Sequence, residues 1–214
     1  MKTIEVKLYS FNELSQEAKE KAIQNHRNNG LEYFWNEENL QSLKAFCKVF
    51  DIDLKKYSID SYGHSYVDTS LNASEDVLNL SGVRLLKYLW NNFRTDIYKG
   101  KYYFVKSEQA LKHKRVKSQT LKNGKIFNSY RSAIQLESSC PFTGYCMDED
   151  LLEPVFKFMA LPLNSVTYED LLNDCIESWL SAAVKDLEYQ ESDEFIGEHL
   201  EANEYEFTED GELF

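Results

Sequence analysis

The sequence predicts an α+β fold, an antiparallel sheet with helices packed on it and a projecting basic arm. Three observations lead there. Short segments alternate apolar and polar residues in the manner of half-buried strands. Longer segments repeat apolar residues at helical spacing. With three Pro and eight Gly spread along the chain, neither an internal repeat nor a Gly/Ser linker divides it. The 214 residues are therefore expected to form a single domain, 1–214.

The elements follow in order. Residues 3–9 read as a strand, with Ile4, Val6 and Leu8 on one face and Glu5 and Lys7 on the other. Ser15 is an N-cap before a helix with Ala18, Ala22 and Ile23 on its apolar side, a Glu17–Lys21 pair one turn apart, and Gly30 as its stop. A second helix starts near Asn36, burying Leu40, Leu43, Phe46, Cys47 and Phe50. The cluster Tyr33, Phe34 and Trp35 at its entry is expected to seat it on the sheet. Residues 54–70 read as two strands about a turn at Tyr62-Gly63-His64.

Ser81 opens a helix expected to turn Val83, Leu86, Leu89, Trp90 and Phe93 inward. Strand composition returns at 98–105 and 126–138. Asp148 is expected to cap a short helix carrying Leu151, Leu152, Val155 and Phe156, kinked or delayed by Pro154. Thr167 with Asp170 resembles a capping box. The stripe behind it, from Leu171 and Leu172 through Cys175, Ile176, Trp179, Leu180, Ala183 and Val184 to Leu187, is continuous and marks a helix. Ser192 starts another, ending near Asn203, before Tyr205 and Phe207 alternate with acids and Asp210-Gly211 turns the chain.

Hydrophobic residues make up 43% and charged residues 28% of the sequence, which is globular composition and calls for no disulfide or metal staple. Met1-Lys2-Thr3 leads into an alternating pattern rather than an apolar leader, and no run reaches the ~18 apolar residues of a membrane span. Cys47, Cys140, Cys146 and Cys175 are too sparse for a disulfide framework and are expected to be reduced thiols of a cytosolic protein.

Charge is the uneven feature. The formal net charge is −12. Twelve of the 36 acidic residues follow Lys185, after which no Lys or Arg occurs, so the remainder balances at 24 acids against 24 bases. The acidic region, 186–214, carries interleaved Phe195, Ile196, Leu200, Tyr205 and Phe207 and is expected to be folded. Its Glu198, Glu201, Glu204, Glu206, Glu209 and Asp210 are the candidate partner-binding residues, since fixed carboxylates present phosphate-like charge to a basic groove.

The opposite sign gathers at 99–130, the candidate arm, densest at Lys112, Lys114, Arg115 and Lys117 and continuing through Lys122 and Lys125. With Tyr98, Tyr102, Tyr103 and Phe104 nearby, the segment 99–131 has the pattern of a nucleic-acid-facing arm. Charge runs are more often solvated faces, so a solvated loop, or one docked on the chain's own acidic end, is the reading to set against it.

Phosphate-loop, dinucleotide and nucleophile-elbow signatures are absent from the sequence. Cys140 and Cys146 are a single pair without zinc spacing, and none of His26, His64, His113 and His199 has a His or Cys partner one turn away. No catalytic residue, metal or cofactor is expected. An enzyme with its site around Cys140, Cys146 and His64 stays open as a third reading.

Three segments carry a resemblance. Lys2-Thr3-Ile4-Glu5-Val6-Lys7-Leu8-Tyr9 with Glu13-Leu14-Ser15-Gln16-Glu17-Ala18, then Cys140-Pro141-Phe142-Thr143-Gly144-Tyr145-Cys146, then Glu201-Ala202-Asn203-Glu204-Tyr205-Glu206-Phe207 with Thr208-Glu209-Asp210-Gly211, are similar to motifs of small acidic, uncharacterised proteins from bacterial viruses and mobile elements. The resemblance covers about a quarter of the chain but reaches both ends. It implies a bacterial cytoplasm and an anti-defence role, anti-CRISPR or antirestriction, with a host nuclease or defence complex as partner and no membrane. It supplies no catalytic residues and no oligomeric state.

Overall fold

The computed structural model describes residues 6–29, 36–97, 100–103, 116–120, 126–130, 133–136, 140–144 and 147–214. The protein is α+β. Its helices are α1 (Gln16–Asn28), α2 (Glu37–Phe50), α3 (Glu75–Leu78), α4 (Gly82–Ile97), α5 (Met147–Ala160), α6 (Tyr168–Gln190) and α7 (Asp193–Ala202). The strands pair antiparallel as separate two-stranded ladders: β1 (Tyr9–Ser10) with β8 (Glu206–Phe207), β2 (Ile52–Ser58) with β3 (Tyr66–Leu71), β4 (Gly100–Tyr103) with β7 (Ala133–Leu136), and β5 (Val116–Thr120) with β6 (Ile126–Tyr130). Within the candidate arm, β5 falls in the segment the sequence suggests is only polar and basic.

Local signals hold where the chain uses them locally. The Ser15 hydroxyl accepts from the Ala18 N–H at 3.2 Å and the Ser192 hydroxyl from Phe195 at 3.2 Å. Thr167 and Asp170 close a full capping box: Asp170 N–H donates to the Thr167 hydroxyl at 3.1 Å, and Thr167 N–H donates back to the carboxylate at 3.0 Å. Gly63, at φ +87°, supplies the left-handed turn between β2 and β3.

The larger core joins α2, β2, α4, α5 and α6. Its centre is a run of rings: Phe142 against Phe46, Phe46 on Phe50 at 4.6 Å between centroids, Phe50 on Phe93 at 4.7 Å, then Tyr88 and Tyr168. Trp179, fully buried, donates its indole N–H to the Asn39 carbonyl at 2.9 Å, and the Asn39 amide donates to Asp186 at 2.9 Å, tying α2 to α6. Burial pushes the Cys47 thiol up to about 11 and raises Cys175 and Tyr168 as well, so these groups stay protonated at neutral pH. Cys47 and Cys175 are free thiols, and Cys146 lies outside the described residues.

A second buried cluster joins the two ends of the chain: Phe11, Leu14, Ala18 and Ala22 pack on Ile196, Leu200 and Phe207. Arg27 in α1 reaches the start of α7, donating to the Glu191 carbonyl at 3.0 Å and pairing with Asp193.

Several expectations are corrected. Among the described residues β1 covers Tyr9–Ser10, paired with Phe207 and Glu206, and Val6 before it is exposed; Ile4 and Glu5 lie outside the described residues. Lys21 does not pair with Glu17 but with Glu212 at 2.8 Å and Asp210 at 3.4 Å. In α4 the buried face is Leu85, Leu89 and Ile97, leaving Val83 57% and Trp90 37% exposed. Pro154 does not delay α5, which runs from Met147 to Ala160 with the proline inside it. Asp148 caps no helix; it lies inside α5, fully buried, and its carboxylate receives the N–H groups of Phe142, Thr143 and Gly144 at 2.8, 2.7 and 3.2 Å and the Thr143 hydroxyl at 3.0 Å. The Gly30 stop and the cluster at Tyr33, Phe34 and Trp35 lie outside the described residues.

Candidate functional site: an acidic cleft where the chain ends meet

The β1–β8 pairing sets two short walls face to face. One is residues 8–13, which turn through β1 and a single 3-10 turn at Phe11–Glu13. The other is the end of α7 with residues 204–206. Between them is a cleft of about 530 Å³ lined by Tyr9, Phe11, Glu13, Leu200, Glu201, Glu204, Tyr205 and Glu206. Phe11 and Leu200, which belong to the second core, give it an apolar portion. The rims are carboxylates.

Each carboxylate is positioned by a separate local cause. Glu13 is held by Ser10, whose backbone N–H and hydroxyl both donate to it at 2.9 Å; these bonds, the backbone one first, lower its pKa below the ordinary glutamate range. Glu201 receives the Asn12 amide at 2.5 Å across the cleft. Glu204 stands just past the end of α7 at φ +54°, where the helix closes by the Glu204 N–H on the Glu201 carbonyl and the Tyr205 N–H on that of Leu200. Glycine is the residue that this left-handed position favours. Glu206 is exposed on β8.

The sequence-derived acidic set is thus divided. Glu201, Glu204 and Glu206 meet in the cleft, joined by Glu13, which its Ser10-x-x-Glu13 capping box could have revealed. Glu198 points to solvent from α7, and Glu209 lies on the exposed turn of the terminal hairpin. Asp210 is engaged by the Thr208 hydroxyl at 2.6 Å and by Lys21. Among the described residues, Glu198, Glu204, Glu206 and Glu209 form no ion pair.

The Lys21 clasp has a definite pH dependence. The Glu212 carboxylate first, then Asp210, raise the Lys21 amine above its ordinary range. The Thr208 hydroxyl first, and Lys21 after it, lower Asp210. Stability from Asp210 is present above the ordinary aspartate pKa and is lost as pH falls through the depressed value. Stability from Lys21 is present below the ordinary lysine pKa and is lost as pH rises through the raised one. Amide-exchange protection at Thr208 and Phe214 is therefore expected to fall at both extremes, and Lys21→Met to lower the plateau between them slightly, the pair being solvent-screened. A profile unaltered by Lys21→Met would show that the clasp does not hold residues 208–214 in place.

The basic residues Lys112, Lys114, Arg115, Lys122 and Lys125 lie outside the described residues; Lys117 falls within β5. His64 is exposed at the β2–β3 turn, its N–H donated to Asp60 at 2.9 Å. Unsignalled by sequence spacing, His26 of α1 and His199 of α7 bring their rings to 5.3 Å, with Tyr205 beside both. Among the described residues, no group of three or more His, Cys, Asp or Glu is arranged to hold a metal, and no helix is long and apolar enough to cross a membrane. No family model, curated protein or solved structure matches the chain.

Proposed function

We propose that the protein is a binding inhibitor of a host nucleic-acid defence enzyme, anti-CRISPR-like or antirestriction in kind, acting in the bacterial cytoplasm on behalf of a virus or mobile element. In this reading its cleft carboxylates occupy the place of phosphates in a basic groove of the partner nuclease or complex. The observation that carries it is Glu204: a glutamate kept in a left-handed backbone conformation at the mouth of a cleft already bearing Glu13, Glu201 and Glu206. Backbone strain held at a surface position is a cost to folding that function accounts for.

That cost is measurable. Glu204→Gly is expected to stabilise the fold by about 0.5–1 kcal/mol in urea unfolding while weakening partner binding. A variant that gains stability and loses no affinity would remove the reason given for the glutamate.

The broader test reverses charge at Glu204, Glu206 and Glu209 together. All three are exposed, so folding is expected to persist. Affinity for the host protein captured by the wild type is expected to fall about 100-fold at low ionic strength and to lose much of its salt dependence. Unchanged inhibition by the triple variant rejects the phosphate-mimicry reading. Capture of DNA or RNA instead of protein, retained by the triple variant, would favour action through residues 99–131.

A further inference from the structure

We propose that the groove between α5 and α6, which shares no lining residue with the acidic cleft, is a docking site for a basic amphipathic helix of a partner protein. The two helices and their connection form a hairpin, and the groove of about 600 Å³ lies over their seam. It exists because the side chains facing it there are short. Pro154 on α5 and Ser178 and Ser181 on α6 do not fill the trough that longer residues would close. Phe158 and Leu171 give it a buried apolar floor. At the loop end two leucines stand in water, Leu161 67% and Leu163 48% exposed. Exposed leucines bordering a concave apolar surface mark a contact site more than a solvated one.

The rims decide what fits. On the α5 wall, Glu153 and Lys157 neutralise each other through a 2.8 Å ion pair one turn apart. On the α6 wall, Asp174 and Glu177 are exposed and, among the described residues, form no ion pair. The groove thus presents an apolar floor with uncompensated negative charge along one side, complementary to a helix with an apolar face and lysines or arginines flanking it. Its walls, from Glu153 to Lys157 and on to Leu161, and from Asp174 to Ser181, run for roughly 10–12 Å, about two helical turns. That length matches anchors at i, i+3 or i+4, and i+7 of a docked helix. A second copy of this chain is the poorer occupant, because each copy brings a net charge of −12 to the contact.

The test uses a peptide of about 15 residues, long enough to hold an amphipathic helix, with leucines on one face and lysines on the other. It is titrated into full-length protein carrying labelled leucine methyls. The expected result is saturable shifts at Leu161, Leu163 and Leu171, absent for the same peptide with glutamate in place of lysine. Leu163→Asp and the pair Asp174→Lys with Glu177→Lys should each weaken binding about tenfold or more. Both alter exposed residues, and a retained methyl spectrum confirms that they fold. The variant reversed at Glu204, Glu206 and Glu209 should bind the peptide as the wild type does, which separates this surface from the terminal cleft. Shifts confined to the cleft, equal binding of the glutamate peptide, or affinity unaffected by the groove variants would each overturn the proposal. So would a concentration-dependent dimer abolished by Leu163→Asp, which would assign the groove to a second copy.

Discussion

Replacing Asp148 with alanine is expected to cost about 3–5 kcal/mol of folding stability, the scale of removing one member of a buried, fully bonded polar group. The carboxylate is fully buried and one of its oxygens takes three backbone N–H groups at once. Alanine leaves those donors facing a void. Asparagine offers a sharper experiment. Its oxygen accepts from the same three N–H groups, and its amide nitrogen then faces the Thr143 hydroxyl. In the wild type that hydroxyl donates to Asp148 at 3.0 Å, so Ser42 supplies the proton of the 2.8 Å bond between the two hydroxyls. In the asparagine variant both roles reverse: the amide donates to Thr143, and Thr143 donates to Ser42. Only the charge assistance is lost, about 1–2 kcal/mol. Urea unfolding of the two variants checks this. Equal losses would mean that charge, rather than the count of satisfied donors, holds the turn.

Gly211→Ala is the second large effect, about 2–4 kcal/mol, felt where the chain ends meet. Gly211 is buried at φ +80°, and a Cβ there would lie 2.2 Å from the Ala18 carbonyl oxygen and 3.0 Å from its carbon. Both atoms are backbone, so α1 itself must move off Phe207 and Leu200. Gly63→Ala is the control. It has a similar φ of +87° with nothing within 4 Å of the added carbon, and so reports conformational cost alone, about 1 kcal/mol. Hydrogen exchange should accelerate through residues 205–214 in the Gly211 variant and stay unchanged there in the Gly63 variant. Equal destabilisation by the two would show that the approach to Ala18 is not close in solution.

What the sequence makes legible is what neighbouring residues decide. Ser15, Thr167 and Ser192 are readable as caps because donor and acceptor lie within three residues. The stripe on α6 is readable because it is buried along its length. In α4 two stripes share helical spacing, one through Val83, Leu86 and Trp90 and the other through Leu85 and Leu89. Periodicity cannot choose between them; packing buried the second. Asp148 has the residue type of a cap, but its donors come from a loop also tied to Ser42 on α2. Lys21 finds its acid 189 positions away, beyond any local rule. The acidic region is visible as composition, whereas the cleft is not, because half of it is built from residues 8–13 and its geometry depends on β1 meeting β8.

That meeting sets an order of events during vectorial synthesis. Helix α1 leaves the ribosome with Phe11, Leu14, Ala18 and Ala22 lacking their later partners, and waits for Ile196, Leu200 and Phe207 to be made. At ordinary elongation rates this interval lasts on the order of 10–40 seconds. Ala18 and Ala22 expose little apolar surface during that interval, whereas Phe11 and Leu14 are larger apolar side chains left waiting for the same cover. The larger core needs α6 as far as Ala183, so it too is completed late, only shortly before Ile196 is made and α1 can be covered.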